Sequence, residues 1–536
     1  MRNAIFPLLN LALFKDFSGA LKQTPIGPTG DLGYATYQGN QRYPNAVNSG
    51  TTVDLGYVTY QGKLDEEYPN TVVYFGIPYA EPPVGDLRFR PTVPLNTARV
   101  TKEANRKVVS ATEPPNFCIQ GSLPGKDGGA GSEDCLNVNI YTPLDATEGD
   151  NLPVMFFIHG GGFVFGNPPT WPFDHWIEQS PNVIIVFADQ FGYNAGTQGP
   201  ERGTQMGPVT TSANSVATRT RRAQPLFARA IAQSVVRSPL PTPEQQQPLF
   251  DLYAREAGCD LPDALMKMSC IRRANVSMLA AAQDVAFQQL SLEYRTFGPV
   301  VDNVLITGHP TSKFQCGDFT HVPLLVGATS DESLIPKMFG DISVALKVYY
   351  PLLTDTDIQQ FLWLYPLDDF DSPSEQFQVV AGELSARCNP QAMGVPSSRY
   401  SDDLTWTYRY NTPTPRIESN IIPVEHADEI WMMFNGSETG PNGTFTFQPQ
   451  TLAERAFASE IIAYWLSFVR SSKPNTYKLD KSPVWGAYNE SKPVRVVLMQ
   501  DPQNSTNVTG SYMEEQPVPE TVRCAFAISK AEVCQN

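Results

Sequence analysis

Two apolar runs, residues 152–158 (LPVMFFI) and 182–188 (NVIIVFA), have strand length and no polar alternation. Such runs fit strands covered on both faces, as in the sheet of an α/β protein. Shorter strand-like runs lie at 71–75 and 322–326. Helical spacing occurs at 226–232, at 248–257 and most regularly at 452–469, where Glu454, Arg455 and Glu460 fall on the side opposite the apolar stripe. Strands first and helices between and after them predict a large, mostly parallel central sheet with helices on both faces. Prolines, 47 in all and paired at Pro82-Pro83, Pro114-Pro115 and Pro168-Pro169, predict long ordered loops between short elements.

One echo interrupts this plan. Residues 32–39 (LGYATYQG) recur as 55–62 (LGYVTYQG), and Tyr-Pro-Asn follows each copy, at Tyr43 and Tyr68. Only the second copy runs on into a strand. A single pair of copies cannot stack into a solenoid, so 21–54 reads as an extension or partial duplication.

At 536 residues the chain is read as one α/β domain enlarged by loops rather than several average domains. The net charge of −16 argues against nucleic acid as a partner. Residues 4–14 are apolar but too few to span a bilayer; with Arg2 before them and Ala20 after, they predict a signal peptide over 1–20. Sequons at Asn275, Asn435, Asn442, Asn489, Asn504 and Asn507 fit a secreted, extracellular glycoprotein. Eight cysteines without a C-x-x-C pair favour disulfides over a metal. Short intervals pair Cys118 with Cys135, Cys259 with Cys270 and Cys524 with Cys534, leaving Cys316 and Cys388. The remaining boundaries place the domain at 55–515 and a C-terminal tail at 516–536.

Candidate chemistry begins at Gly160, Gly161 and Gly162, directly after the first apolar run. Backbone N–H groups in such a turn can face a developing oxyanion. Glu332, with Asp331 as its neighbour, follows the run at 322–326, and His426 precedes the apolar segment 430–434. The other histidines are His159, His175, His309 and His321. Taken singly, each of these groups is more often a loop carboxylate or a structural imidazole than a catalyst.

Six ordered tracts change that weighting: GIPYAEPPVGDLRFRP at 76–91, SEDCLNVNIYTP at 132–143, HGGGF at 159–163, FARAIAQS at 227–234, VPLLVGATSDES at 322–333 and the segment around His426. Over roughly 55–500 the chain resembles the type-B carboxylesterases, the family of the cholinesterases and certain secreted fungal lipases. The resemblance implies an α/β-hydrolase fold and cleavage of small-molecule or lipid carboxylic esters through an acyl-enzyme, without metal or organic cofactor. It assigns Gly161 and Gly162 as oxyanion donors, Glu332 as the acid and His426 as the base.

The chain departs from the family at the nucleophile. No G-x-S-x-G occurs, and residues 189–225 are rich in Gly, Thr, Gln and Arg without strand or helix periodicity. The sheet is therefore expected to be disrupted at the nucleophile strand and elbow. Ser212, in VTTSANSV at 209–216, is the weak remaining candidate, because it lacks flanking glycines. The family function is ester hydrolysis; the chain as written is expected to be inactive. The alternative is a non-catalytic binding or adhesion protein on the same scaffold. Substrate and oligomeric state are left open.

Overall fold

The computed structural model describes residues 51–123, 125, 127–188, 227–288, 297–303, 306–332, 341–400, 404–415 and 424–536. The signal-peptide segment 1–20, the first repeat copy and Ser212 lie outside them.

Ten strands form two five-stranded sheets. β1 (Lys63–Leu64), β2 (Thr71–Pro78), β3 (Asn137–Pro143), β4 (Val154–Ile158) and β5 (Ile184–Ala188) lie in the order β1-β2-β3-β5-β4. β6 (Ala230–Gln233), β7 (Leu324–Thr329), β8 (Thr405–Tyr410), β9 (Val494–Leu498) and β10 (Tyr512–Glu515) lie in the order β10-β9-β8-β7-β6. Pairing is parallel between β4 and β5 and from β6 through β9, and antiparallel at the outer ends. Among the described residues no ladder joins β4 to β6.

β5 explains why an uninterrupted apolar run makes a central strand. Ile185 and Phe187 enter one buried cluster, while Ile184, Val186 and Ala188 enter the cluster on the opposite face. The period of two is satisfied by core on both sides. β4 has the same kind of sequence, yet every one of its five residues is only half-buried, contrary to the expectation of a strand covered on both faces. It pairs with β5 on one side and with nothing described on the other.

Helix Leu452–Ser471 packs across both sheets. Thr451 and Glu454 close a capping box at its start, and Ile461, Trp465 and Phe468 share a core with Phe187 of β5 and with Trp406 and Tyr408 of β8. Glu460, placed by periodicity on the open side, is instead buried, because Thr509 covers it and donates to its Oε1 at 2.8 Å.

Other expectations are corrected. The segment 226–232, read as helical from its spacing, contributes β6. Residues 230–233 pair in register with 324–327, and that ladder overrides local propensity. Residues 52–54 do not belong to an extension; they pair with 59–61. The predicted C-terminal tail forms helices Val518–Ser529 and Ala531–Cys534. A disulfide from Cys388 to Cys524 ties it down, replacing the expected Cys524–Cys534 pair and any Cys316–Cys388 bridge and leaving Cys316 and Cys534 free. That bridge spans 136 residues, so interval counting could not find it. Cys118–Cys135 and Cys259–Cys270 are bonded as expected. Among the described residues no helix is long and apolar enough to cross a membrane.

Candidate active site

Glu332 and His426 are 94 residues apart and meet at the end of β7: His426 Nδ1 lies 2.5 Å from Glu332 Oε2. The backbone arranges this meeting. Asp331 Oδ2 accepts from Val424 N at 2.9 Å, and Asp331 N donates to Val424 O at the same distance. Asp331, the alternative acid, is therefore spent on holding the histidine segment against β7, which leaves its neighbour to face the imidazole. Ala427, at φ 67°, then turns the chain into helix Asp428–Met433.

Glu332 is fully buried and also accepts from Thr329 N at 2.8 Å. Burial pushes its carboxyl up, but the charge and hydrogen bond of His426, with further bonds from Ser234 and Thr329, hold it below its ordinary value. For His426, burial favours the neutral ring; Glu332, with Glu429 and Asp428 behind it, outweighs this and raises the pKa. The His426 side chain keeps 30 % of its surface exposed, and Nε2 has no partner among the described residues. The pair is thus an oriented base with one open nitrogen.

The other histidines are engaged elsewhere. His159 Nδ1 is bonded to Gly160 O at 2.7 Å, and burial lowers its pKa to about 4. His175 Nε2 takes Met433 O at 2.8 Å, and burial likewise brings it to about 4. His309 reaches exposed Glu532, and His321 stacks on Tyr400.

The glycine turn follows β4. Gly161 and Gly162 have φ of 121° and 58°, and a Cβ on Gly161 would overlap the carbonyl of Phe165, so the turn requires glycine there. Gly161 O accepts from Val164 N and Phe165 N, while the N–H groups of Gly161 and Gly162 donate to no described acceptor. The turn and the base share one aromatic platform: Phe157 of β4 packs at 5.7 Å and Trp171 at 6.4 Å from Phe434, which follows the helix begun beside His426.

Sequence reasoning missed a second carboxylate. Glu429 is buried three residues after His426, and its Oε1 accepts from Ser234 Oγ at 2.9 Å and Tyr408 OH at 3.2 Å. Burial first, then the charge of Glu332, pushes its pKa up to about 7. The legible signal was a glutamate leading the apolar run Ile430-Trp431-Met432-Met433-Phe434. Ser234 follows β6 at φ 45°. It is a serine after a strand in a strained backbone, but its hydroxyl is engaged by the carboxylates of Glu429 and Glu332.

Comparison with known proteins agrees with this architecture. The model of the carboxylesterase family matches residues 51–193 and 203–517. Mouse acylcarnitine hydrolase is 25% identical over 479 residues, covering 77% of this chain and 81% of its own. Mouse carboxylesterase 1E is 27% identical over 496 residues, covering 78% and 84%. The crystal structure of Aspergillus niger EstA superposes with a TM-score of 0.75 at 25% identity, over 90% of this chain and 99% of that one. With the strand order, the Glu332–His426 contact and the glycine turn in place, these matches show that the chain has the α/β-hydrolase fold and belongs to the carboxylesterase family.

Proposed function

We propose that the locus encodes a secreted hydrolase of small-molecule or lipid carboxylic esters, and that the chain as written lacks its nucleophile. The observation carrying this reading is the His426–Glu332 hydrogen bond at 2.5 Å, with Nε2 bonded to no partner among the described residues. In the complete reaction a serine attacks the ester carbonyl while His426 Nε2 takes its proton. Glu332 orients the imidazole and stabilises its charge, and the N–H groups of Gly161 and Gly162 receive the oxyanion. His426 returns that proton to the departing alcohol as the carbon–oxygen bond of the ester breaks, and water then hydrolyses the acyl-enzyme with the neutral imidazole again as base, releasing the acid and regenerating the serine. A binding protein would have no physical need for a buried carboxylate paired to an open imidazole.

Composition supports a break in the coding sequence rather than gradual decay. Apolar sequence stops after Ala188, and family-like sequence resumes at Pro225-Leu226-Phe227. Point-by-point decay would leave a recognisable strand and helix around a substituted serine. Three disulfides and six sequons support secretion, with residues 1–20 as the signal peptide.

Two assays test the reading. The chain as written is expected neither to take a fluorophosphonate label nor to hydrolyse p-nitrophenyl butyrate appreciably. Stoichiometric labelling at Ser212 overturns it. Sequencing the transcript across codons 186–228 is expected to recover a G-x-S-x-G.

A further inference from the structure

The backbone of Glu332 rests on a widened helical turn. Between helices Pro373–Gly382 and Asn389–Ser398, residues Glu383–Arg387 form a single π-helical turn, in which Cys388 N donates to Glu383 O at 3.3 Å. Such turns are uncommon and concentrate at functional sites. Glu383, Leu384, Ser385 and Ala386 are all buried, and the turn is tied to several distant segments. Glu383 Oε1 accepts from Arg523 Nη2 at 2.6 Å and Glu383 Oε2 from Tyr365 OH at 2.8 Å. Leu384 O accepts from Tyr350 OH at 3.2 Å, and Ser385 O from Arg237 N at 2.6 Å. The Cys388–Cys524 disulfide follows directly.

One side chain of this turn reaches the base assembly. Ser385 Oγ donates to Glu332 O at 2.7 Å, with Gly382 O the more distant acceptor at 3.4 Å. A Cβ on Gly382 would stand 3.5 Å from Glu332 N, so the turn packs directly against the backbone of the acid. Among the described residues Ser385 is the sole donor to Glu332 O. The other restraints act elsewhere: Thr329 N and His426 Nδ1 hold the carboxylate, and the Asp331–Val424 pair holds the preceding residue. Because Glu332 is fully buried, its carbonyl stripped of that donor has no water to turn to. The peptide then rotates toward a new partner and carries the carboxylate with it, away from the short bond to His426.

We propose that Ser385 is a positioning residue for the base assembly: its hydroxyl, carried on the π-helical turn, fixes the backbone of Glu332 so that the carboxylate meets His426 Nδ1. The role in catalysis rests on the ester-hydrolase reading, in which Glu332 orients the base. Ser385 touches no reacting atom and acts through Glu332 alone, so its effect on the pair requires neither serine nucleophile nor turnover.

The test follows the five histidines of the full chain as written, by NMR titration of isotope-labelled imidazoles beside thermal unfolding. In wild type His426 faces Glu332, Glu429 and Asp428 and is expected to titrate above 6.5, while His159 and His175 titrate near 4. Ser385→Ala is expected to lower the His426 pKa by about half a pH unit or more, with His159 and His175 unmoved. Ser385→Thr, which keeps the hydroxyl, is expected to hold His426 at its wild-type value. Glu332→Gln sets the full loss, and Ser385→Ala added to it is expected to move His426 no further, because both act on one path. A lower Tm with an unchanged His426 pKa in Ser385→Ala overturns the proposal, since the hydroxyl is then a structural tie only. So does a Ser385→Thr shift equal to that of Ser385→Ala, or an equal Ser385→Ala shift in the Glu332→Gln background. Loss of folding in Ser385→Ala overturns it too, because a hydroxyl that the whole domain needs is no positioning device. Glu332→Gln with an unchanged His426 pKa sinks the pair itself, and with it the hydrolase reading, a failure visible before Ser385 is touched.

Discussion

β4 and β5 are neighbours with nearly interchangeable sequences, VMFFI and IIVFA, yet all five residues of β5 are buried and all five of β4 are half-buried. The difference lies in what stands beside them. β5 has β3 on one side and β4 on the other, whereas β4 has β5 alone among the described strands. β6, at the facing end of the second sheet, is likewise half-buried at three of its four residues. An apolar run therefore encodes the capacity for a buried strand, and its neighbours decide whether that capacity is used. The family's nucleophile strand and elbow belong between the second apolar run and β6, where the sequence turns polar. On the proposed reading, the missing nucleophile and the half-buried flank of the sheet share a single origin.

The largest effect should come from removing the asymmetry. Replacing residues 189–225 by an apolar strand, a G-x-S-x-G elbow and an amphipathic helix is expected to raise kcat on p-nitrophenyl butyrate by a factor on the order of 10⁶, the scale lost when a triad serine is removed. His426→Ala in that repaired chain should abolish the gain. A repaired, folded chain without activity would show that the Glu332–His426 pair is not the base assembly.

A smaller effect separates the two strands directly. Phe187→Ala in β5 should destabilise the protein by about 3–5 kcal/mol in urea unfolding, whereas Phe157→Ala in β4 should cost about half as much. Equal losses would mean that β4 is as well covered as β5, and the comparison would fail. In the repaired chain the two costs should converge.

The smallest effect concerns Glu429, which sits where the second sheet meets the base. Its folded pKa of about 7 lies above the ordinary value of 4.5. Its contribution to stability is thus fully present below pH 4.5 and is lost as pH rises toward 7, because the unfolded chain releases the proton first. Glu429→Gln should remove a decline of roughly 2–3 kcal/mol between those values, measured as the difference between wild-type and variant unfolding curves. A variant with an unchanged pH profile would place the titration elsewhere. His426 carries the same sign at higher pH, since its raised pKa makes the paired form most stabilising below about 6.5.

Legibility followed the range of the interactions. Strands at 71–75, 182–188 and 322–326 and the helix at 452–469 were readable because each carries its own local pattern, a short apolar run for the strands and three-and-four spacing for the helix. Glu332 and His426 were readable through the ordered tracts around them; nothing about either residue alone selects it. β6 was misread because four residues rich in alanine hold little periodic information, and its ladder partner lies more than ninety residues away. Glu429 and Ser234 were missed for a related reason. A buried carboxylate is recognisable only from what surrounds it, and Tyr408 and Glu332 come from distant segments.

By itself the sequence determined the fold class, the glycine turn and the absence of a G-x-S-x-G motif, since each is a local property of composition, spacing or motif. Tertiary structure alone decided that Asp331 ties the backbone while Glu332 meets His426, and that Cys388 pairs with Cys524. Those outcomes depend on which distant segments exclude water from a polar group. Burial and pairing at long range are set by the packed whole, and no run of adjacent residues encodes them.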